Sequence, residues 1–202
     1  MRKHPPGINL RDGGTMALVQ GRECGECIAC CKFVEIPELN KPADVMCRHC
    51  TGHSCGIYDS RPSICRSWYC VWRVEKELSD ELRPDRCGVM FSLDGDAQPQ
   101  SIFDNFFIVG RTLAGGDRST FDTSAMNAAL QVLTKSGTGA VPVFGSWEFG
   151  LKRLLYPSDA LAHAIQNPTT TPFGHLVVEA LGWRARYAQV LRSVGVAPNF
   201  LH

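Results

Sequence analysis

No stretch of this 202-residue chain approaches the roughly 18–20 consecutive apolar residues that a bilayer-spanning helix requires, so no membrane partner is expected. The opening residues, MRKHPPGINLRDGGTMALVQG, begin basic but carry proline, glycine and charge where a signal peptide needs an apolar core. Residues 1–21 are therefore expected to be a flexible N-terminal tail, and the protein cytoplasmic. Charge of one sign is also missing. Lys and Arg number 21 against 20 Asp and Glu, a net charge of +1, and both halves of the chain are close to neutral. Without a basic stripe the usual electrostatic footprint of a nucleic-acid binder is absent, so such a partner is not expected; no protein partner can be named. There is no solenoid repeat or low-complexity tract. The nearest thing to a glycine-rich loop, Ala114-Gly115-Gly116, reads as a turn and not as a dinucleotide or S-adenosylmethionine cradle.

Cysteine is missing after Cys87, and that makes its abundance before it informative. All ten cysteines lie between Cys24 and Cys87. In a secreted chain such density would read as a disulfide framework; in a reducing compartment clustered thiols more often bind metal. The first run, CGECIACC, has the form C-x2-C-x2-C-C (Cys24, Cys27, Cys30, Cys31). Two residues between thiols let a tight turn aim both sulfurs at one ion, which is why this spacing recurs in zinc sites. Successive x2 spacing with a distant fourth thiol also suits an iron–sulfur cluster. Spacing does not choose between them.

The adjacent pair Cys30–Cys31 constrains the geometry, because neighbouring side chains diverge on either a strand or a helix. With one ion, the simpler arrangement, one of the two packs as a small hydrophobe; otherwise the pair links two sites. Distal donors follow in CRHCTGHSCGIYDSRPSIC: Cys47, Cys55 and Cys65, with Cys50 making a second C-x2-C. His49 and His53 are expected to be loop histidines, since thiols are already in excess. Cys65 is expected near a helix start, where free N–H groups favour a thiolate. Arg61 and Arg66 bracket it and could neutralise the negative charge of a thiolate-held group.

Taken together, CGECIACC, Cys47, the block CGIYDSRPSICR, Tyr69-Cys70-Val71-Trp72 and Leu82-Arg83-Pro84-Asp85 resemble the bacterial YkgJ-like CxxCxxCC proteins, described as zinc- or iron-chelating. The resemblance covers about residues 22–90. It implies a metal-chelating module holding a zinc ion or an iron–sulfur cluster, with Cys24, Cys27, Cys30, Cys31, Cys47, Cys55 and Cys65 as cluster residues. Cys50 and Cys87 depart from the pattern. A related module is thought to occur in a flagellin lysine methylase, so an iron–sulfur redox or group-transfer enzyme is an alternative, as is a zinc-ribbon-like interaction module. A thiol–disulfide switch also uses C-x2-C.

The fold expected is α+β: a cysteine-rich metal-binding module over residues 22–90, packed on a small mixed α/β layer over residues 91–202. Phe33–Ile36 alternates like a short strand. Ser60-Arg61-Pro62 signals the start of a helix whose apolar stripe runs through Ile64, Trp68, Val71 and Trp72 toward Leu78, before Pro84. Strands are predicted over Gly88–Leu93 and Ile102–Thr112, and at Ala140–Phe144, where Pro142 suggests an edge. Helices are predicted over Thr123–Lys135, Ser158–Gln166 and Gly174–Val194.

Overall fold

The computed structural model describes residues 17–135, 140–148, 150–172 and 174–198. Most of the predicted tail thus lies outside the described residues, but Val19 already donates its N–H to the Arg73 carbonyl.

The cysteine-rich region is built from short pieces: α1 (Ala29–Phe33), α2 (Ser63–Ser67), α3 (Val71–Val74) and α4 (Pro84–Cys87). The strand expected at Phe33–Ile36 does not form. Phe33 closes α1, Val34 turns extended, and only Ile36 pairs, in an isolated bridge to Lys41. Phe33 belongs to α1 and Pro37 has no N–H to donate, so no run is left to hold a ladder. Lys41 shuts this loop: its buried Nζ donates to the carbonyls of Lys32 (2.9 Å), Val34 (2.5 Å) and Pro42 (2.9 Å).

The long helix expected after Ser60 is also two pieces. Trp68 adopts an extended conformation (φ −87°, ψ 133°), ending α2, and α3 restarts after Cys70. The reason lies in the core. Val71 and Trp72 pack into the main core with the sheet, whereas Trp68 packs on a smaller cluster of Ala29, Phe33 and Met90. Positions four apart on one helix would share a face, so the chain breaks to serve both clusters.

β1 (Val89–Asp94), β2 (Phe107–Thr112), β3 (Val143–Ser146) and β4 (Arg153–Tyr156) form one sheet in the order β1-β2-β3-β4. The outer pairs are antiparallel and β2–β3 is parallel, which requires a crossover; α5 (Ser124–Lys135) lies in it. The protein is α+β with a mixed sheet. The predicted edge strand is interior, because Pro142 precedes β3 and no ladder N–H is lost; its carbonyl accepts from Ile108. β4 was not foreseen, and of the predicted strand Ile102–Thr112 the first residues form a 3-10 turn. The boundary drawn at residue 90 falls inside β1.

α6 (Asp159–Gln166) and α7 (His175–Ser193) pair and cover the sheet through Trp183, Tyr187 and Leu191. The Tyr187 hydroxyl donates to the Phe106 carbonyl (2.6 Å) and accepts from its N–H (3.0 Å). Gly110 and Gly145 are paired across β2–β3. A Cβ on either would come within 3.0 Å of the Phe121 ring, so the two glycines make the seat on which that ring lies. One buried polar cluster interrupts the sheet: Arg111 donates to Ser92 (2.6 Å) and to the Asp94 carboxylate. Among the described residues, no helix is long and apolar enough to cross a membrane.

Candidate metal-binding cleft

Local backbone hydrogen bonds gather the thiols. Cys27 N–H donates to the Cys24 carbonyl and Cys31 N–H to that of Ile28, so CGECIACC winds as a turn running into α1. Cys47 N–H donates to the Cys31 carbonyl at 2.9 Å, which lays the second cysteine run against the first. Cys50 and Cys55 face each other in an antiparallel bridge, and Cys65 sits in the first turn of α2.

The result is a single cleft of about 630 Å³ lined by all seven cysteines of the predicted set. Tyr58, Arg61, Trp68, Tyr69 and Arg73 complete its walls. All ten cysteines are free thiols. Among the described residues no three Cys, His, Asp or Glu side chains converge closely enough to hold an ion as they stand. The thiols line a common space without closing on a common centre.

Neither member of the vicinal pair is packed away as a small hydrophobe: Cys30 is exposed and Cys31 half-buried. Cys31 is held firmly as a thiol, first by hydrogen bonding with Cys30 and then by burial, against hydrogen bonding from Cys50. Burial raises the Cys27 thiol too, but the N–H groups of Ala29 and Asp85 favour its thiolate. Burial likewise raises Cys65; the negative charges of Cys31, Cys47 and Cys55 add to the rise, and Arg61 opposes it. Arg61 also stacks over the Tyr58 ring at 3.9 Å. Arg66 turns away from the cleft, donating to the carbonyls of Arg61 (2.9 Å) and Asp59 (3.2 Å) and holding the loop before α2. His53 is exposed, and His49 accepts from Arg48 at 3.3 Å. Cys87 stands apart, with its thiol donating to the carbonyls of Val89 and Leu82.

Two residues outside the implied ligand set matter here. Arg73 lines the cleft, yet its Nε and Nη1 are buried and make no hydrogen bond. Its guanidinium lies 5.8 Å from the Tyr69 ring, and an anionic group in the cleft would give the two bare nitrogens hydrogen-bond partners. Cys70, behind the lining, is pushed up to about 12 by burial, against the N–H groups of Arg73 and Trp72. Local spacing does not single them out: on one continuous helix Cys70, five residues after Cys65, would lie well round the helix from it. The donor chemistry and the positive charge of Arg73 both suit a thiolate-held metal group.

No family model, curated protein or solved structure matches the chain.

Proposed function

We propose that the protein is a metal-binding protein that chelates a zinc ion or an iron–sulfur cluster through thiolates lining the cleft, in the manner of the YkgJ-like proteins that its motif resembles. The observation that carries the reading is the gathering of seven cysteines from two separate runs into one cleft whose wall also includes Arg73, with two buried guanidinium nitrogens that make no hydrogen bond. Soft thiolates select zinc or iron–sulfur clusters over hard cations. When bound, zinc held wholly by sulfur would contribute folding energy, and an iron–sulfur cluster would supply electron transfer.

The chain's own groups meet the demands of such a centre. Several thiolates in one place repel one another, and Arg61 and Arg73 bring opposite charge to the cleft wall. Lys41, whose ammonium is disfavoured by burial but favoured by the charges of Cys47, Asp44, Cys31 and Cys30, adds a third cation behind it. Reduced thiols suit a cytoplasmic protein, which is the location we propose.

The test is anaerobic purification followed by measurement of zinc, iron and sulfide per chain. Bound zinc in a colourless protein, or iron with sulfide and broad visible absorption, is the expected result. Protein containing neither metal overturns the reading.

A further inference from the structure

We propose that Cys50 and Cys55 are a redox-active pair, oxidised to a cross-strand disulfide by a low-molecular-weight disulfide, and that this bond withdraws Cys55 from the metal-binding cleft. The first half stands on the geometry of a hairpin; the second rests on the metal-binding reading.

The backbone sets the pair. Cys50 and Cys55 lie opposite each other in an antiparallel bridge. The hydrogen bonds of that bridge fall on either side of them: Thr51 N–H donates to the Ser54 carbonyl at 3.0 Å, and Gly56 N–H to the His49 carbonyl at 2.8 Å. The Cys50 N–H donates elsewhere, to the Cys47 carbonyl. The two cysteines are therefore a non-hydrogen-bonded pair, the arrangement that brings opposed residues closest, to about 4.5 Å between Cα atoms. A disulfide spans roughly 4.4–6.8 Å between Cα atoms, and side chains paired in this way leave the same face of the ladder. Rotation of the two side chains is enough to close the bond.

The turn between them is held in place. Thr51 Oγ1 accepts from the Ser54 N–H at 3.1 Å and shares a 2.7 Å hydrogen bond with the Ser54 hydroxyl, while Gly52 takes the positive φ of +95°. Folding has already closed the loop that a disulfide here would close. Residues 51–54 are exposed and both cysteines half-buried, so a small oxidant can reach them. Cys31 is the competing partner, since its thiol hydrogen-bonds with that of Cys50. It stands on a separate element, α1, tied to the second run through the Cys47 N–H bond to its carbonyl.

The cleft gives the two thiols different roles. Cys55 lines it and Cys50 lies outside the lining, so a metal group held there leaves Cys50 free to react. The Cys50 thiolate attacks one sulfur of the oxidant RSSR, forming a mixed disulfide and expelling RS⁻. The Cys55 thiolate then attacks the Cys50 sulfur, forms the Cys50–Cys55 bond and expels the second RS⁻. The two protons of the protein thiols pass to the two RS⁻ groups, and two electrons reduce RSSR to two RSH. Cys55 is then no longer a thiolate, and the thiolate is the metal-ligating form.

The experiment titrates reduced, metal-free full-length protein with oxidised glutathione, followed by alkylation, digestion without reduction and mass-spectrometric mapping. Cys50–Cys55 is expected to be the first disulfide formed, in the wild type and equally in Cys31→Ser. A first disulfide that joins Cys50 to Cys31, or that forms elsewhere in the chain, overturns the pair. Protein loaded with zinc is then given the same oxidant. The wild type is expected to release zinc as the disulfide forms, whereas Cys50→Ser loads the same amount and keeps it over the same time. Release from Cys50→Ser as fast as from the wild type overturns the coupling alone. A reduced wild type that takes up no zinc counts against the metal-binding reading and overturns the coupling with it; the mapped disulfide then decides the pair by itself.

Discussion

Arg22 lies with its guanidinium 5.0 Å from the Trp72 ring and donates to the Trp72 carbonyl at 2.6 Å. The same side chain donates to the carbonyls of Glu75 (2.8 Å), Lys76 (3.3 Å) and Leu78, and pairs with Asp80 at 3.2 Å. One residue thereby satisfies the carbonyls left over where α3 ends and ties them to the turn that begins at Cys24. Arg22→Ala should destabilise the fold by about 2–4 kcal/mol, because several carbonyls lose a charged donor and Trp72 loses its cation. Urea unfolding measures the loss. Arg22→Lys, which supplies a point charge and no fork, should recover only part of it. A loss below about 0.5 kcal/mol, the size of an ordinary surface change, would show that the network is incidental.

Tyr187 offers a test of the sheet–helix contact far from the thiols. Its hydroxyl satisfies both the N–H and the carbonyl of Phe106, and burial raises its pKa well above the ordinary tyrosine value. Tyr187→Phe leaves two buried backbone groups unpaired and should cost about 1–3 kcal/mol. Metal content should not change, since α7 contributes nothing to the cleft. Equal loss of metal and stability would mean that the two regions unfold together.

How legible was this protein? The helices expected over Thr123–Lys135, Ser158–Gln166 and Gly174–Val194 form within a residue of those bounds, and they bury Met126, Ala129 and Leu133 on α5 and Val177, Ala180, Trp183 and Tyr187 on α7. β4 is not legible because Arg153–Tyr156 carries no alternation, and Pro142 suggests an edge only because its position relative to the first ladder bond is a tertiary fact. The seven cysteines implied by the motif resemblance line one cleft because a turn winds the first run and the Cys47 N–H bond to the Cys31 carbonyl lays the second run against it. Cys70 and Arg73 are not legible in this way, because their placement depends on Trp68 leaving the helix for a second apolar cluster. No local pattern records that choice.

Acidification should weaken the loop before β2 in a defined way. Burial opposes ionisation of Asp104, but the hydrogen bond and charge of Lys152, with hydrogen bonds from Ser101, outweigh it and hold the carboxyl below its usual range. Lys152 reaches Asp104 at 2.7 Å and Asp96 at 2.5 Å while lying 4.0 Å from the Phe107 ring centroid. A group with a lowered folded pKa contributes stability that is fully present above its unfolded value, near pH 4, and that fades as pH falls through the folded value. Asp104→Asn should therefore be less stable than wild type at pH 7, and the gap should close as pH drops below about 4. Unfolding free energies measured from pH 7 to pH 3 give the comparison. A gap that stays constant with pH would assign the effect to packing.

Gly25 connects backbone strain to the cleft. It adopts φ +55°, and a Cβ there would also meet Arg83 Nη1 at 3.2 Å. Gly21, at φ +79°, has nothing within 4 Å of the corresponding point, so it carries the same backbone penalty without the collision. Alanine at either position should cost roughly 1–2 kcal/mol for the left-handed conformation. Only Gly25→Ala should also push Arg83 away from the Cys24–Cys27 turn and lower the metal recovered per chain. Parallel purification of Gly21→Ala and Gly25→Ala, with zinc and iron measured in each, separates the two effects. If both variants retain the wild-type metal content, the approach of Arg83 to this turn has no part in holding the group.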